Sequence, residues 1–136
     1  MPQTSPQPAT PEARALLGTA ERDRVTVEVL LRYPDSPITS VCFHAQQYLE
    51  KVMKAVLVSH AVIFRRTHDL EELADLLEGQ GLTLPASRNY LTRLNPFAVA
   101  FRYQEVDPLC PISVEPHEIA MVLDVTRVWV EGQLCD

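Results

Sequence analysis

The sequence predicts an all-α fold, an up-and-down antiparallel bundle of five helices. Apolar residues recur at intervals of three or four through most of the chain, the spacing that places them on one side of a helix. Only 4 of the 136 residues are glycine, which suits a few long helices joined by short loops. Most of the 11 prolines lie in the N-terminal tail or between the apolar segments, where they do not interrupt a helix. Short connections between successive helices favour antiparallel neighbours.

The chain begins with a polar tail. Residues 1–10 are rich in proline, glutamine, serine and threonine and have little to bury, so we expect them to be disordered. A single helical domain is expected to cover residues 11–136, because the length is close to the commonest domain size. Thr10 is the expected N-cap of the first helix, with Pro11 at its first position. Apolar residues then keep helical spacing to about Tyr33.

The second helix, predicted over residues 37–63, is the clearest element of the sequence. Ser36 in the preceding turn is its expected N-cap. An apolar side is sustained along it, through Val41, Ala45, Leu49, Val52, Val56 and Leu57. We therefore expect this helix at the centre of the bundle.

Three further helices are predicted after it. The third begins at Thr67 and Asp69, which supply capping groups, and Gly79 stops it. The fourth is interrupted at Asn95-Pro96, and the last covers about 115–134. The expected core residues are Leu70, Leu73, Ala74 and Leu77 in the third helix, Tyr90, Leu91, Leu94, Ala98 and Phe101 in the fourth, and Ile119, Val122, Leu123, Thr126 and Val130 in the last.

Charge and cysteine content exclude several classes of protein. The net charge of −6 argues against non-specific binding of nucleic acid through a broad basic surface, although it leaves room for a local cationic patch. Cys42, Cys110 and Cys135 lie far apart, without the spacing of a zinc site or a disulfide framework, so no metal or other cofactor is expected. Reduced thiols, and the lack of an apolar stretch long enough for a transmembrane helix or signal peptide, favour a cytoplasmic protein.

Four polar residues of the second helix form the first candidate site. They are spaced i, i+3, i+7 and i+10, which places them along one side of the helix, opposite its apolar side. We name this set the polar stripe: His44, Gln47, Lys51 and Lys54. The competing interpretation is a solvated helix surface, where lysine and glutamine are most often found.

Two other polar groups complete the predicted ligand site. The run Arg65-Arg66-Thr67-His68-Asp69 lies at the start of the third helix, where free backbone N–H groups favour an anion. Arg102-Tyr103 lies near the end of the fourth helix. With the polar stripe, these groups predict a cleft for phosphate and base recognition, in which the further ligand-binding residues are Thr67, His68, Asp69, Arg102 and Tyr103. Two alternatives stay open, namely that His68 bonds to backbone and that Arg102 pairs with an acidic neighbour such as Asp69.

Recognisable catalytic motifs are absent from the sequence. It contains no H-E-x-x-H, no glycine-rich phosphate loop, no G-x-S-x-G and no cysteine–histidine pair with a known local signature. The residues therefore give no support to nucleophilic catalysis.

Four segments of the chain resemble a known family. They are the run CFHAQQYLEKVMKA from Cys42 to Ala55, then Thr67-His68-Asp69-Leu70, Arg102-Tyr103 and Trp129-Val130. Their order and spacing resemble the HEPN domain family over about residues 15–134. The resemblance implies four main helices plus a shorter fifth, a homodimer, and nucleotide or RNA as ligand. It also implies a protein partner, a minimal nucleotidyltransferase, in a toxin–antitoxin-like pair.

The ribonuclease branch of that family carries an arginine followed, after four to six residues, by a histidine, and none of the four histidines here fits this spacing. The preferred interpretation is accordingly a nucleotide-binding or substrate-binding partner and not an enzyme. The alternative is a metal-independent ribonuclease toxin, with His44 or His68 as acid or base and Arg102 as phosphate clamp. The Arg-Tyr pair is followed by Gln104, where the family has proline, so we expect a different turn after the fourth helix.

The last helix carries more apolar surface than one bundle needs. Trp129, with Val128 and Val130 beside it, is the expected excess. Such a surface agrees with the homodimer that the resemblance implies.

Overall fold

The computed structural model describes residues 5–98 and 114–135, and these ranges confirm the all-α fold. They contain five helices and two very short strands. The helices are α1 (Pro11–Leu31), α2 (Ile38–Ser59), α3 (Leu70–Gly79), α4 (Arg88–Leu94) and α5 (Pro116–Gln133), and the strands are β1 (Gln7–Pro8) and β2 (Leu134–Cys135). As predicted, α2 is central, because it packs against each of the other four helices.

Helix α1 begins as the sequence predicts. The Thr10 hydroxyl oxygen accepts a hydrogen bond from the backbone N–H of Ala13 at 3.1 Å, and Pro11 occupies the first helical position. The predicted N-cap of the second helix is wrong, because that position belongs to Pro37, which makes no side-chain capping bond. Ser36 instead donates its hydroxyl proton to the carbonyl of Leu30 at 2.6 Å. Its side chain therefore closes the end of α1 and does not begin α2.

Helix α2 supplies more of the core than any other helix and ends four residues before the predicted boundary of 63. Its largest fully buried apolar side chains are Leu49, Met53 and Leu57. The helix ends because Ala61 adopts a left-handed conformation with φ of 60°. The N–H of Val62 then donates to the carbonyl of Leu57 at 2.9 Å, which is the Schellman pattern of a helix C-terminus.

Helix α3 is capped as predicted at its start and differently at its end. The Asp69 carboxylate accepts from the N–H groups of Glu71 and Glu72. Gly79, the predicted stop, is the last helical residue, so this assignment is wrong by two positions. Gly81, with φ of 75°, is the left-handed residue, and the N–H of Leu82 donates to the carbonyl of Leu77 at 3.0 Å. Glycine adopts this conformation without steric cost, which explains why the helix ends there.

The last two helices hold most of their expected core residues, whereas Ala98, predicted on the fourth helix, lies beyond the end of α4 and is half-buried. Buried side chains on them are Tyr90, Leu91 and Leu94 of α4 and Ile119, Leu123 and Thr126 of α5, whereas Val122 and Val130 are half-buried against the core. Trp129 also packs against the core and donates its indole N–H to the Thr83 hydroxyl at 2.9 Å. Of the predicted apolar excess, Val128 is exposed, while Trp129 and Val130 face inward. Phe101, a predicted core residue, lies outside the described residues.

Part of the predicted disordered tail lies against the domain. Within residues 1–10, Gln7–Pro8 pairs in parallel with Leu134–Cys135, and the N–H of Ala9 donates to the carbonyl of Cys135 at 3.3 Å. The two described ends of the chain therefore meet at one edge of the bundle. Within the described ranges, every helix is too short or too polar to span a membrane.

Candidate functional site

The polar stripe of α2 is bound to a buried carboxylate on α1. Asp23 is 7% exposed. One of its oxygens lies 2.8 Å from Nδ1 of His44, and the other accepts from Nζ of Lys51 at 2.6 Å. We name Asp23, His44 and Lys51 the Asp23 unit. It joins α1 to α2, and its charged groups are partly shielded from water.

A second buried carboxylate organises the other half of the stripe. Glu50 is 4% exposed. Its Oε2 accepts from Nζ of Lys54 at 3.1 Å, and its Oε1 lies 3.1 Å from Nδ1 of His68. We name Glu50, Lys54 and His68 the Glu50 unit. It repeats the chemistry of the Asp23 unit, a carboxylate between an ammonium and an imidazole, at the contact between α2 and the start of α3.

A pair of amide side chains supports the Glu50 unit. Gln46 is fully buried, and its Nε2 donates to the backbone carbonyl of His68 at 3.0 Å and to Oε1 of Glu50 at 3.3 Å. Its own carbonyl accepts from Nε2 of Gln47 at 2.7 Å. The segment that carries His68 is thus fixed to α2 through both its backbone and its side chain.

The contacts decide which ring nitrogen each imidazole offers to a ligand. An ionised carboxylate only accepts hydrogen bonds, so Nδ1 of His44 and of His68 must carry the proton. Nε2 is then left for other contacts. The His68 side chain is 64% exposed and that of His44 is 28% exposed. His68 is therefore the more accessible of the two imidazoles.

Each of the two lysines has its charge balanced by a carboxylate but does not use all of its N–H donors in that contact. Lys51 and Lys54 have side chains that are 24% and 14% exposed. Each ammonium has three N–H donors and uses one of them in the contact with its carboxylate. With neutral imidazoles, two carboxylates and two lysines sum to zero charge. The site can offer directed hydrogen bonds to an anion, but it is not a strong positive patch.

The start of α3 holds the remaining predicted residues. Thr67 is buried and accepts from the N–H of Asp69 at 3.1 Å, so both side chains serve in capping. Arg65 pairs with Glu72 at 2.7 Å, and the hydrogen bond to this carboxylate raises the pKa of Arg65 above its ordinary value. Arg66 is exposed and makes no hydrogen bond or ion pair with any described residue. Within the described part of the chain it is an unpaired cation, two residues before His68 in the sequence.

The structure joins most of the predicted site residues and adds three that the sequence did not single out. The stripe and His68 lie together, whereas Arg102 and Tyr103 lie outside the described residues. The added residues are Asp23, Gln46 and Glu50. Asp23 carried a usable signal, because it falls between Ala20 and Val27 on the side of α1 that faces the core. An acidic residue at such a position requires a partner.

Neither unit has the composition of a metal centre. Each combines one carboxylate and one imidazole with a lysine. Within residues 5–98 and 114–135, no group of three or more histidine, cysteine, aspartate or glutamate side chains is placed to hold a metal ion.

Comparison with known proteins identifies the family. The HEPN domain family matches residues 13–129, which is most of the chain. A protein of Methanocaldococcus jannaschii named "Putative toxin MJ1304" is 42% identical over 57 residues, which are 40% of this chain and 34% of that protein. This chain therefore matches about a third of the relative's length. No solved structure matches the chain with significance. Because the family match extends over far more than half of the residues, the chain belongs to the HEPN domain family.

Proposed function

We propose that this HEPN domain is a binding protein that holds a nucleotide or a short RNA segment at the polar stripe and His68. The observation that carries the proposal is the Glu50 unit. Its imidazole is 64% exposed, while the carboxylate that orients it is 4% exposed. Such an arrangement fixes a polar group at the surface without leaving its buried partner unsatisfied, which is the design of a preorganised binding site.

The available donors suit a phosphate and a sugar or base. Lys51 and Lys54 are three residues apart, about 4.5 Å along the axis of α2, and each keeps N–H groups free for a ligand. Nε2 of His68 and the guanidinium of Arg66 lie at the adjoining start of α3. Because the cluster is close to neutral, binding has to come from specific hydrogen bonds and not from a general positive field.

The proposal also includes a protein partner, a minimal nucleotidyltransferase. The resemblance to HEPN proteins that accompany a minimal nucleotidyltransferase supports a role as the substrate-binding partner of such an enzyme. The name of the Methanocaldococcus jannaschii relative supports a toxin–antitoxin-like pair. Co-purification of a nucleotidyltransferase that is encoded beside this chain is the expected result, and failure of co-expressed proteins to associate would argue against this part.

Calorimetric titration with ATP, AMP and a short single-stranded RNA tests the binding role. We expect the wild type to bind at least one of them, and His68→Ala to weaken that binding about tenfold, the effect of losing one hydrogen bond to a charged group.

His117→Ala is the matched control for this substitution. His117 is also exposed, lies on α5, and makes no hydrogen bond within the described ranges. Its replacement should change the affinity by less than about twofold, since no lost contact accounts for more. Absence of binding by the wild type, or equal losses in the two variants, would contradict the proposal.

A metal-independent ribonuclease is the second candidate, and the geometry of His68 favours it over other enzymes. An exposed imidazole whose Nδ1 contacts a buried carboxylate is oriented for proton transfer through Nε2. Arg102, the predicted phosphate clamp, lies outside the described residues. Its role in this mechanism is therefore inferred from the sequence alone. Growth arrest with RNA cleavage on expression, abolished by His68→Ala or His44→Ala, would support the ribonuclease. Intact RNA at high expression would exclude it.

We also propose that two copies pair through the outer side of α5. Met121, Val125 and Val128 are 63%, 57% and 69% exposed and are spaced i, i+4 and i+7, which forms one apolar stripe. The homodimer that the family resemblance implies supports this surface. Light scattering should give twice the mass of the chain for the wild type and one mass for Val125→Glu, whereas a monomeric wild type would contradict the pairing.

A further inference from the structure

Glu50 holds His68, the more accessible imidazole of the candidate site, in one orientation. We infer that Glu50 is a positioning residue, which fixes His68 as the Nδ1–H tautomer and so directs Nε2 toward the ligand. The inference rests on the proposed function, because it concerns the same site. It goes further by assigning a role to a residue that does not itself face the ligand.

The Glu50 carboxylate contacts one ring nitrogen of His68 with both of its oxygens. Both oxygens of Glu50 lie within 3.2 Å of Nδ1 of His68, at 3.1 and 3.2 Å. The backbone carbonyl of His68 is held independently by the Gln46 amide at 3.0 Å. A ring flip would place a carbon atom against a buried carboxylate and would remove one of the three donors that this carboxylate accepts from, leaving Lys54 and Gln46. The Nδ1 contact is therefore the stable one.

Lys54 is the second partner of the Glu50 carboxylate. Its ammonium donates to Oε2 of Glu50 at 3.1 Å, and the Glu50 side chain is 5% exposed. An ionised carboxylate accepts from Nδ1 but cannot donate to it. Lys54 thus binds the same carboxylate, Glu50 selects the tautomer, and His68 presents Nε2.

The Asp23 unit repeats the arrangement with a carboxylate from a different helix. Asp23 on α1 accepts from Lys51 and contacts Nδ1 of His44, as Glu50 does for Lys54 and His68. Two independent carboxylates on two helices thus impose the same tautomer on two imidazoles. A buried ion pair that only joined helices would not need an imidazole as its third member, so the repetition supports a positioning role.

The tautomer determines what the site recognises. In its neutral form, His68 with the proton on Nδ1 offers a lone pair at Nε2, which accepts from a hydroxyl or amino group of a nucleoside. In its protonated form, the same Nε2 donates to a phosphate oxygen. With the opposite tautomer, Nε2 would carry a proton in both the neutral and the protonated ring. It could then only donate, and the contact with a hydroxyl or amino group of the ligand would be lost.

Nitrogen-15 NMR of the histidine rings tests the tautomer in the wild-type protein, without any substitution or ligand. We expect the neutral ring of His68 to show a protonated Nδ1 and an unprotonated Nε2. A protonated Nε2, or the mixture of tautomers typical of a free histidine, would overturn the inference. This measurement decides the matter even if the Glu50 variants fail to fold or ATP does not bind.

A double-substitution cycle with ATP as the probe tests the consequence for binding. We expect Glu50→Gln to weaken the affinity about tenfold in the wild-type background and to have almost no further effect in His68→Ala, because its action passes through that ring. Equal losses in both backgrounds would show that Glu50 acts independently of His68 and would overturn the inference. Failure of the wild type to bind ATP would count against the proposed function, while the NMR result still decides the role of Glu50.

Discussion

Individual polar residues could be selected from the sequence more readily than their partners. The spacing of His44 and Lys51 on one helix was sufficient to select them, because helical geometry fixes which side they share. Asp23, which contacts both, lies 21 residues before His44 in the sequence, on another helix. The pairing depends on how α1 is rotated against α2, and that rotation is set by packing across the whole contact.

Removal of the Asp23 carboxylate should destabilise the protein measurably. In Asp23→Ala, Lys51 and His44 lose a partner in a half-buried place, although their side chains, 24% and 28% exposed, can still reach water. We therefore expect a loss of about 2 kcal/mol in the free energy of unfolding, between the values for surface and fully buried ion pairs. Urea unfolding followed by circular dichroism measures it.

Asp75→Ala provides the matched comparison. Asp75 also carries a paired carboxylate within a helix, but its side chain is 72% exposed and its partner is the surface residue Arg88. Its replacement should change the free energy of unfolding by no more than about 0.5 kcal/mol. Similar losses in the two variants would mean that the Asp23 unit contributes no more than an ordinary surface pair.

At the scale of the elements, the centres of the helices were predictable and their ends were not. The apolar periodicity of α2 predicted both its existence and its buried side, but the predicted end at 63 ran past Ser59. Ala61 ends the helix in a left-handed conformation. The sequence does not predict this end, because the residue at this position is not glycine. Likewise, Ser36 is a common N-cap residue, yet it lies close enough to the end of α1 to bond backward to Leu30.

Ala61→Gly should stabilise the protein. Alanine in the left-handed conformation brings Cβ close to its own backbone, a cost that glycine avoids. Glycine also loses more freedom on folding, so the net gain should be about 0.5–1 kcal/mol.

Thermal unfolding should thus show a higher midpoint for Ala61→Gly. The opposite sign is expected for Ala120→Gly, which makes the same change inside α5, where glycine costs about 1 kcal/mol relative to alanine. If both variants lost stability, the end of α2 would not be strained at residue 61.

Asn95 connects two helices at a point where the sequence suggested only an interruption. Its Oδ1 accepts from the N–H of Leu70 at 2.9 Å, and its Nδ2 donates to the Asp69 carboxylate at 2.9 Å. Asn95→Ala removes both bonds at the start of α3, and we expect a loss of about 1–2 kcal/mol.

Asn89→Ala is the control for Asn95→Ala. Asn89 is exposed, lies on α4, the helix that ends at its C-cap, Asn95, and accepts from the Arg93 side chain at 3.0 Å. Chemical denaturation should show a change of less than about 0.5 kcal/mol for this variant. A loss in Asn95→Ala no larger than that in Asn89→Ala would mean that the two bonds do not hold α3 against α4.

For the molecule as a whole, the fold followed from the sequence far more completely than the site did. The core is formed by residues that any all-helical arrangement would bury, such as Leu49, Leu73 and Ile119. Their periodicity alone therefore predicts the architecture. The site depends on two buried carboxylates, and composition or periodicity does not distinguish a buried glutamate from a surface one. Glu50 in fact has Lys54 four residues later, a spacing that is also typical of a solvated helix surface.

A buried thiol and a buried phenol make the stability of the folded state sensitive to high pH. Burial raises the pKa of Cys42 from 9.0 to about 12, and burial is also the main cause that raises the pKa of Tyr48 from 10.0 to about 12. Because the folded-state pKa values lie above the unfolded ones, this stabilisation is fully present below about pH 9 and is lost as the pH rises toward 12. The urea midpoint should consequently fall between pH 8 and pH 11.

The fall of the urea midpoint with rising pH should be shallower in Tyr48→Phe, because this substitution removes the buried phenol proton. Tyr33→Phe is its control, because the Tyr33 ring is 64% exposed. A midpoint that does not change with pH, or the same pH dependence in both variants, would show that the buried phenol does not contribute.

Ligand binding is proposed at the polar stripe of α2 together with His68. Titration of isotopically labelled protein with ATP, followed by NMR of the backbone amides and histidine rings, tests it most directly. The predicted result is that the largest shift changes fall on residues 44–54 and on the rings of His44 and His68, with little change at His60 and His117. Changes centred on α5, or no change at all, would contradict it.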